Sequence, residues 1–208
     1  MEILPLLLAS LVGFTHAFEA DHLVAVSSIV TRRNNTLLAL KDGIFWGLGH
    51  TSTILLVGCI FILGTSRINL ANFKYLEGGV GIMLIFLGLK RLSGLYKAGL
   101  VHTEAHRKGN PHEHKLAYSV GLMHGLAGSG TLIFSVLTTI KSSLSGMAYL
   151  MIFGMGSIAG MMVAAGIFSV PFSEKLLKNK TLRIALTFLS SLLCIILGGK
   201  VVYQNFIA

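Results

Sequence analysis

Residues 16–22 read HAFEADH, placing two histidines, a glutamate and an aspartate between the largely apolar stretches 3–15 and 23–31. A charged side chain at the centre of a membrane helix costs about 2.5 to 3.5 kcal/mol even on lenient insertion scales. Such groups are kept where something compensates them, and four ionisable residues within one short stretch ask for a common partner.

The rest of the chain makes hydrocarbon the right reference. Hydrophobic residues form 53% of the 208 positions and charged residues only 12%, well below the roughly 25% of a soluble domain. A helix needs about 20 mostly apolar residues to cross the hydrocarbon layer, and uncharged runs at 43–66, 116–140 and 142–173 meet that length. The stretches at 3–18 with 22–31, at 78–89 and at 184–199 reach it with their flanks. The expected fold is an all-α integral membrane protein with six transmembrane helices. The segment after Met1 starts with Glu2 and has no basic leader or clean small-residue cleavage site, so it is expected to be the first helix rather than a removable signal.

A net charge of +9 on a soluble chain would suggest nucleic acid, but here Lys and Arg sit between the apolar runs, and no nucleic-acid partner is expected. Their distribution instead orients the chain. With the N-terminus outside, thirteen of the 17 basic residues fall on the inner side and only Arg67, Lys74, Lys141 and Lys200 fall outside. The positive-inside rule then puts both termini outside and the polar stretch before residue 116 in the cytoplasm, in a multi-pass plasma (inner) membrane protein. Cys59 and Cys194 lie inside apolar spans with no nearby second cysteine, and read as small core residues.

The halves of the chain repeat one another. VGFTHAFEADHL at 12–23 matches VGLMHGLAGSGT at 120–131, so that His16 corresponds to His124. WGLGH at 46–50 matches FGMGS at 153–157, and IFLGLK at 85–90 matches IILGGK at 195–200. An odd number of crossings per repeat makes the second copy enter the membrane from the opposite side, which predicts a 3+3 inverted repeat with the first helix of each half interrupted near mid-membrane. The expected division is 1–91 for the first three-helix repeat, 92–115 for a His-rich polar loop, and 116–208 for the second repeat, within one membrane domain. Two readings stand for the glycines: close helix approach for those in GMGSIAG and GGVG, and a counterpart of the polar motif for Gly128 to Gly130.

On an unbroken helix His16 and His22 would point about 120° apart, at about 100° per residue. If one ion is to touch His16, Asp21 and His22, the helix must open around Glu19 to Asp21, which is tolerated only where the backbone lines a cavity or is covered by protein. His50, in WGLGHTST, supplies another imidazole. Three imidazoles and one carboxylate suit nickel, cobalt, copper(II) or zinc better than magnesium or calcium, which prefer oxygen cages. The expected metal set is therefore His16, Asp21, His22 and His50. Glu19 is read as an outer support, a proton acceptor or a lysine partner, and His124 as a ligand across the pathway or a hydrogen-bonded helix contact. Thr51 and Ser129 are further pathway candidates. Alternatively, Asp21 pairs with a histidine or a helix-end amide and merely fastens the bundle.

The pattern His, four residues, Asp-His in HAFEADH, with GLGHT on the second helix and GLMHGLAGSG after a polar loop, resembles the NiCoT/NicO nickel and cobalt transporter superfamily. Within it the chain is similar to the short, urease-accessory UreH-like branch, over nearly its whole length. The resemblance implies secondary transport of Ni2+ or Co2+, with His16, Asp21, His22 and His50 at the signature positions. The chain departs from larger members in having fewer expected crossings, and later polar motifs reduced to HGLAGSG and GMGSIAG.

The stretch HTEAHRKGNPHEH at 102–114 gathers His102, His106, His112 and His114. It reads either as a metal-collecting loop or as a solvated connector, since its spacing matches no closed zinc site. No phosphate-binding Gly-rich loop with Lys-Ser/Thr is present, so the expected energy source is the ion gradient, the membrane potential or protons. The expected cargo is a divalent metal ion, with no resident cofactor, no catalytic residue and no enzymatic activity. The alternatives are an intramembrane metalloenzyme, which the lack of His-Glu-x-x-His disfavours, a transporter of a different small substrate, or a membrane partner of a metalloenzyme maturation system.

Overall fold

The computed structural model describes residues 3–30, 33, 35–63, 71–100, 111–127, 136, 140, 142–170 and 180–207. Among these residues every regular element is a helix. They are α1 (Ile3–His16), α2 (Ala20–Val30), α3 (Thr36–Leu63), α4 (Ala71–Leu100), α5 (Pro111–Ala127), α6 (Ser143–Ser169) and α7 (Lys180–Phe206).

Local sequence sets several ends. Asn35 opens α3, its side-chain Oδ1 accepting from Leu37 N at 2.8 Å and its carbonyl from Leu38 and Ala39 N, so that orphan amides of the first turn are satisfied. Ser142 caps α6 in the same way, accepting from Ser145 N. Pro111 occupies the first position of α5, where a missing N–H costs nothing.

Among the described residues, four helices are long and apolar enough to cross a membrane by length and composition: Thr36–Ile62, Lys74–Leu95, Ser143–Ser169 and Ile184–Phe206. Their outer faces carry large exposed apolar side chains, among them Leu56, Phe86, Met155, Phe188, Leu189 and Ile196. A soluble monomer rarely carries so much exposed hydrocarbon. α1 and α2, with 14 and 11 residues, are each too short to cross alone.

The segment 92–115 is helical at both ends, because α4 continues to Leu100 and α5 starts at Pro111. Leu92, Leu95, Leu100 and their neighbours are good helix formers, so the polar loop expected there shortens from both sides. Cys194 is buried, but Cys59 is exposed on the same outward side of α3 as Leu56 and Ile60, contrary to its expected place in the core.

α3 packs on both α5 and α6, α1 lies along α6, and α4 pairs with α7. Glycines make the close crossings possible. A side chain at Gly121 on α5 would collide with the Trp46 carbonyl on α3, and one at Gly13 on α1 would collide with the Phe153 carbonyl on α6. Similarly Gly49 lies against the Tyr118 carbonyl and Gly156 against that of Ser10. Each pair of contacts is exchanged for the other by the same offsets that align the two halves of the sequence. The core beneath is built from Trp46, Leu84, Met161 and the alanines 164 and 165, with Ile54, Leu150 and Phe153 in a second cluster.

One ion pair is buried with this core. Arg33, just after α2, donates Nε to Asp42 Oδ2 at 2.5 Å and Nη2 to Oδ1 at 2.7 Å. His114 Nδ1 donates to the same Oδ1 at 2.7 Å, while its ring stacks on Phe45. A carboxylate removed from water needs such partners, and this pairing ties the start of α3 to the chain after α2 and to α5.

Candidate metal centre

The opening helix is broken where the polar motif lies. Phe18 N bonds to Thr15 O and Glu19 N to His16 O in two tight turns, and α2 resumes with Leu23 N on Glu19 O. The irregular residues are Ala17 to Glu19, slightly earlier than the expected Glu19 to Asp21. His16 thus ends α1, while Asp21 and His22 lie in the first turn of α2, where an acidic residue complements the helix dipole.

The break brings together what a continuous helix would separate. The rings of His16 and His22 lie 4.6 Å apart, centre to centre, and His50 from α3 lies 5.3 Å from His16 and 5.4 Å from His22. His124 from α5 stands on the other side of His22, at 4.7 Å. All four imidazoles are buried. Gly125 allows this approach, since a side chain there would meet the backbone of His50.

The carboxylates fix the tautomers of two rings. His16 Nδ1 donates to Glu19 Oε1 at 2.8 Å, and His22 Nδ1 donates to Asp21 Oδ1 at 3.1 Å. A carboxylate accepts, so the proton must sit on Nδ1, and Nε2 of each ring keeps its lone pair. Nε2 of His16 and His22 and both ring nitrogens of His50 and His124 have no hydrogen-bond partner among the described residues. Buried polar atoms are nearly always paired, so this concentration of unpaired ring nitrogens, with one lone pair on each neutral imidazole, marks a place for something that accepts lone pairs.

Two sets of three can each close on one ion: His16 with His22 and His50, and Asp21 with His22 and His124. Within each, one ligand atom per residue lies within 4.8 Å of the others. Of the four residues expected as one set, His16, His22 and His50 lie in the first group, and Asp21 lies with His22 in the second. Asp21 orients His22 and faces His124 Nε2 across 3.8 Å, because the turn at Ala17–Glu19 aims its carboxylate at α5.

Other candidates fall elsewhere. Glu19 accepts from His16 Nδ1. Thr51 donates to Gly154 O at 3.2 Å, as a contact between α3 and α6. His114 is committed to Asp42 and lies on α5, so it does not belong to an open collecting loop. Ser129, His102 and His106 lie outside the described residues, as does the side chain of His112. Trp46 was missed: its ring stacks on His22 at 5.6 Å and meets His124 edge-on at 5.7 Å. Its only sequence signal is its place one turn before His50.

Comparison with known proteins bears on this geometry. The chain is 32% identical over 179 residues to the urease accessory protein UreH of Bacillus sp. (strain TB-90), covering 81% of this chain and 77% of that protein. This chain belongs to the UreH-like family. The UreH-like chain is also similar to two Arabidopsis thaliana proteins, chloroplast proteins FOR GROWTH AND FERTILITY 1 and 2, at 27% and 26% identity over 94% and 89% of its length. It spans 58% and 52% of those two relatives. No family model and no solved structure matches it.

Proposed function

We propose that this chain is a membrane transporter of a divalent transition-metal ion, with nickel or cobalt as the cargo. The observation that carries the reading is the convergence of four buried imidazoles, with open ring nitrogens, at a break in the opening helix. An imidazole set of this kind suits borderline cations, and irregular backbone within a membrane span is the usual place for a transported ion. The UreH-like membership supports nickel or cobalt among those cations. The relative's description as a urease accessory protein supports a partner in metalloenzyme maturation.

In this reading α1 and α2 together form one crossing, α5 belongs to another, and the four long helices form the rest. The exchange of Gly13 on Phe153 for Gly121 on Trp46 supports a 3+3 inverted repeat, whose two halves rock about the site. The basic residues favour a plasma-membrane orientation with both termini outside. Inward movement of a doubly charged ion is favoured by about 4.6 kcal/mol per 100 mV, so voltage alone can drive uptake.

The test is flux of Ni2+, Co2+, Zn2+ and Cu2+ into proteoliposomes containing the purified chain. Wild type should move Ni2+ or Co2+ unaided under an inside-negative potential, and His22→Ala should not. Equal flux in both, or none in either, sinks the reading.

A further inference from the structure

We infer that the cargo site has two positions sharing His22, and that the ion steps between a set of three imidazoles and a set containing a carboxylate. This rests on the reading of the chain as a metal transporter. The first position is formed by His16, His22 and His50, the second by Asp21, His22 and His124. His22 stands between its neighbours, with ring centres 4.6 Å from His16 and 4.7 Å from His124.

A neutral imidazole has one lone pair to give, and the other His22 nitrogen holds a proton shared with Asp21. His22 therefore serves one ion at a time, and the two positions fill alternately rather than together. They also differ chemically. Three imidazoles leave the full charge of the cation uncompensated, whereas Asp21 neutralises part of it. Asp21 keeps 29% exposure while the imidazoles of both sets are buried, so water meets the second position first. An ion can there trade hydration for a carboxylate and two rings, then pass to the drier set without ever being released from His22.

His124 meets Trp46 edge-on, a contact that leaves its ring nitrogens open. It is fully buried, and its Nε2 faces Asp21 with no hydrogen-bond partner among the described residues. An imidazole used only as a helix contact would have that nitrogen satisfied.

The test is equilibrium binding of Co2+ to the purified full chain in detergent, followed by visible absorption, alongside proteoliposome flux. Wild type should bind a single Co2+. His50→Ala should still bind one, with a spectrum typical of mixed nitrogen and oxygen ligands, and His124→Ala should bind one with a nitrogen-only spectrum. Each should lose flux by about tenfold or more. The double variant should bind none. Loss of all binding in His50→Ala alone, or a His124→Ala protein with wild-type spectrum and flux, overturns the second position. Glutamine at either site replaces any alanine variant that elutes as aggregate, and is read by the same criteria. Absence of Co2+ binding in wild type would remove the transporter reading itself, a result distinct from either of these.

Discussion

At the scale of single residues, Glu19 and Asp21 act on the rings beside them. By accepting the hydrogen bond from His16 Nδ1, Glu19 leaves Nε2 as the nitrogen free to coordinate and holds the ring toward His22. Removing such a supporting partner typically weakens metal affinity about 10- to 100-fold. Glu19→Ala should therefore raise the dissociation constant for Co2+ by that factor in equilibrium dialysis; an unchanged constant would make the contact incidental.

At the scale of elements, helix contact depends on a few glycines and one buried ion pair. The Trp46 carbonyl occupies the space a side chain at Gly121 would need, whereas Gly79 on α4 has nothing within 4 Å of the corresponding position. Gly121→Ala should destabilise the bundle by about 1 to 3 kcal/mol through overpacking, with Gly79→Ala near neutral, as thermal unfolding in detergent would report. Asp42→Asn weakens the charge partner of buried Arg33 and should cost on the order of 3 to 5 kcal/mol. HAFEADH was legible because charge inside an apolar run is conspicuous, and the aligned glycines of the two halves, Gly13 and Gly121, mark two of the close helix contacts. The position of the break was read two residues late, because ligand spacing requires an interruption without saying which peptides supply it. The link from Asp42 to His114 spans 72 residues and its members look like ordinary loop-flanking charges, so no local pattern announces it. The same holds for Trp46, whose apolar surroundings fit a core position equally well. Ligand chemistry suggests Asp21 beside His16, His22 and His50, while its nearness to His124, at 3.8 Å, depends on the direction of α2 after the turn, which residue type does not specify.

At the scale of the whole molecule, the basic residues make a prediction about sidedness. With Cys59 and Cys194 replaced by alanine, a cysteine at Gln204 should react with a membrane-impermeant maleimide in intact cells. One at Lys97 should react only after permeabilisation. The reverse pattern would turn the protein over and place the 92–115 segment outside. The surrounding helices hold the site from several directions: α3 provides His50, α5 provides His124, and α6 supports α1 through Ser157, which donates to Gly13 O at 3.1 Å. The broken opening segment is thus the one held mainly by neighbours rather than by its own length, the arrangement expected of a part that must both shape a ligand set and yield it.

The chain contains a single tryptophan, Trp46, with its indole face against the His22 ring. Its ultraviolet emission is therefore a native optical gauge of occupancy, because a paramagnetic cation seated on His22 would quench a fluorophore so near. Titration with Ni2+ should dim the signal without any attached dye, and the diamagnetic Zn2+ should leave it far brighter.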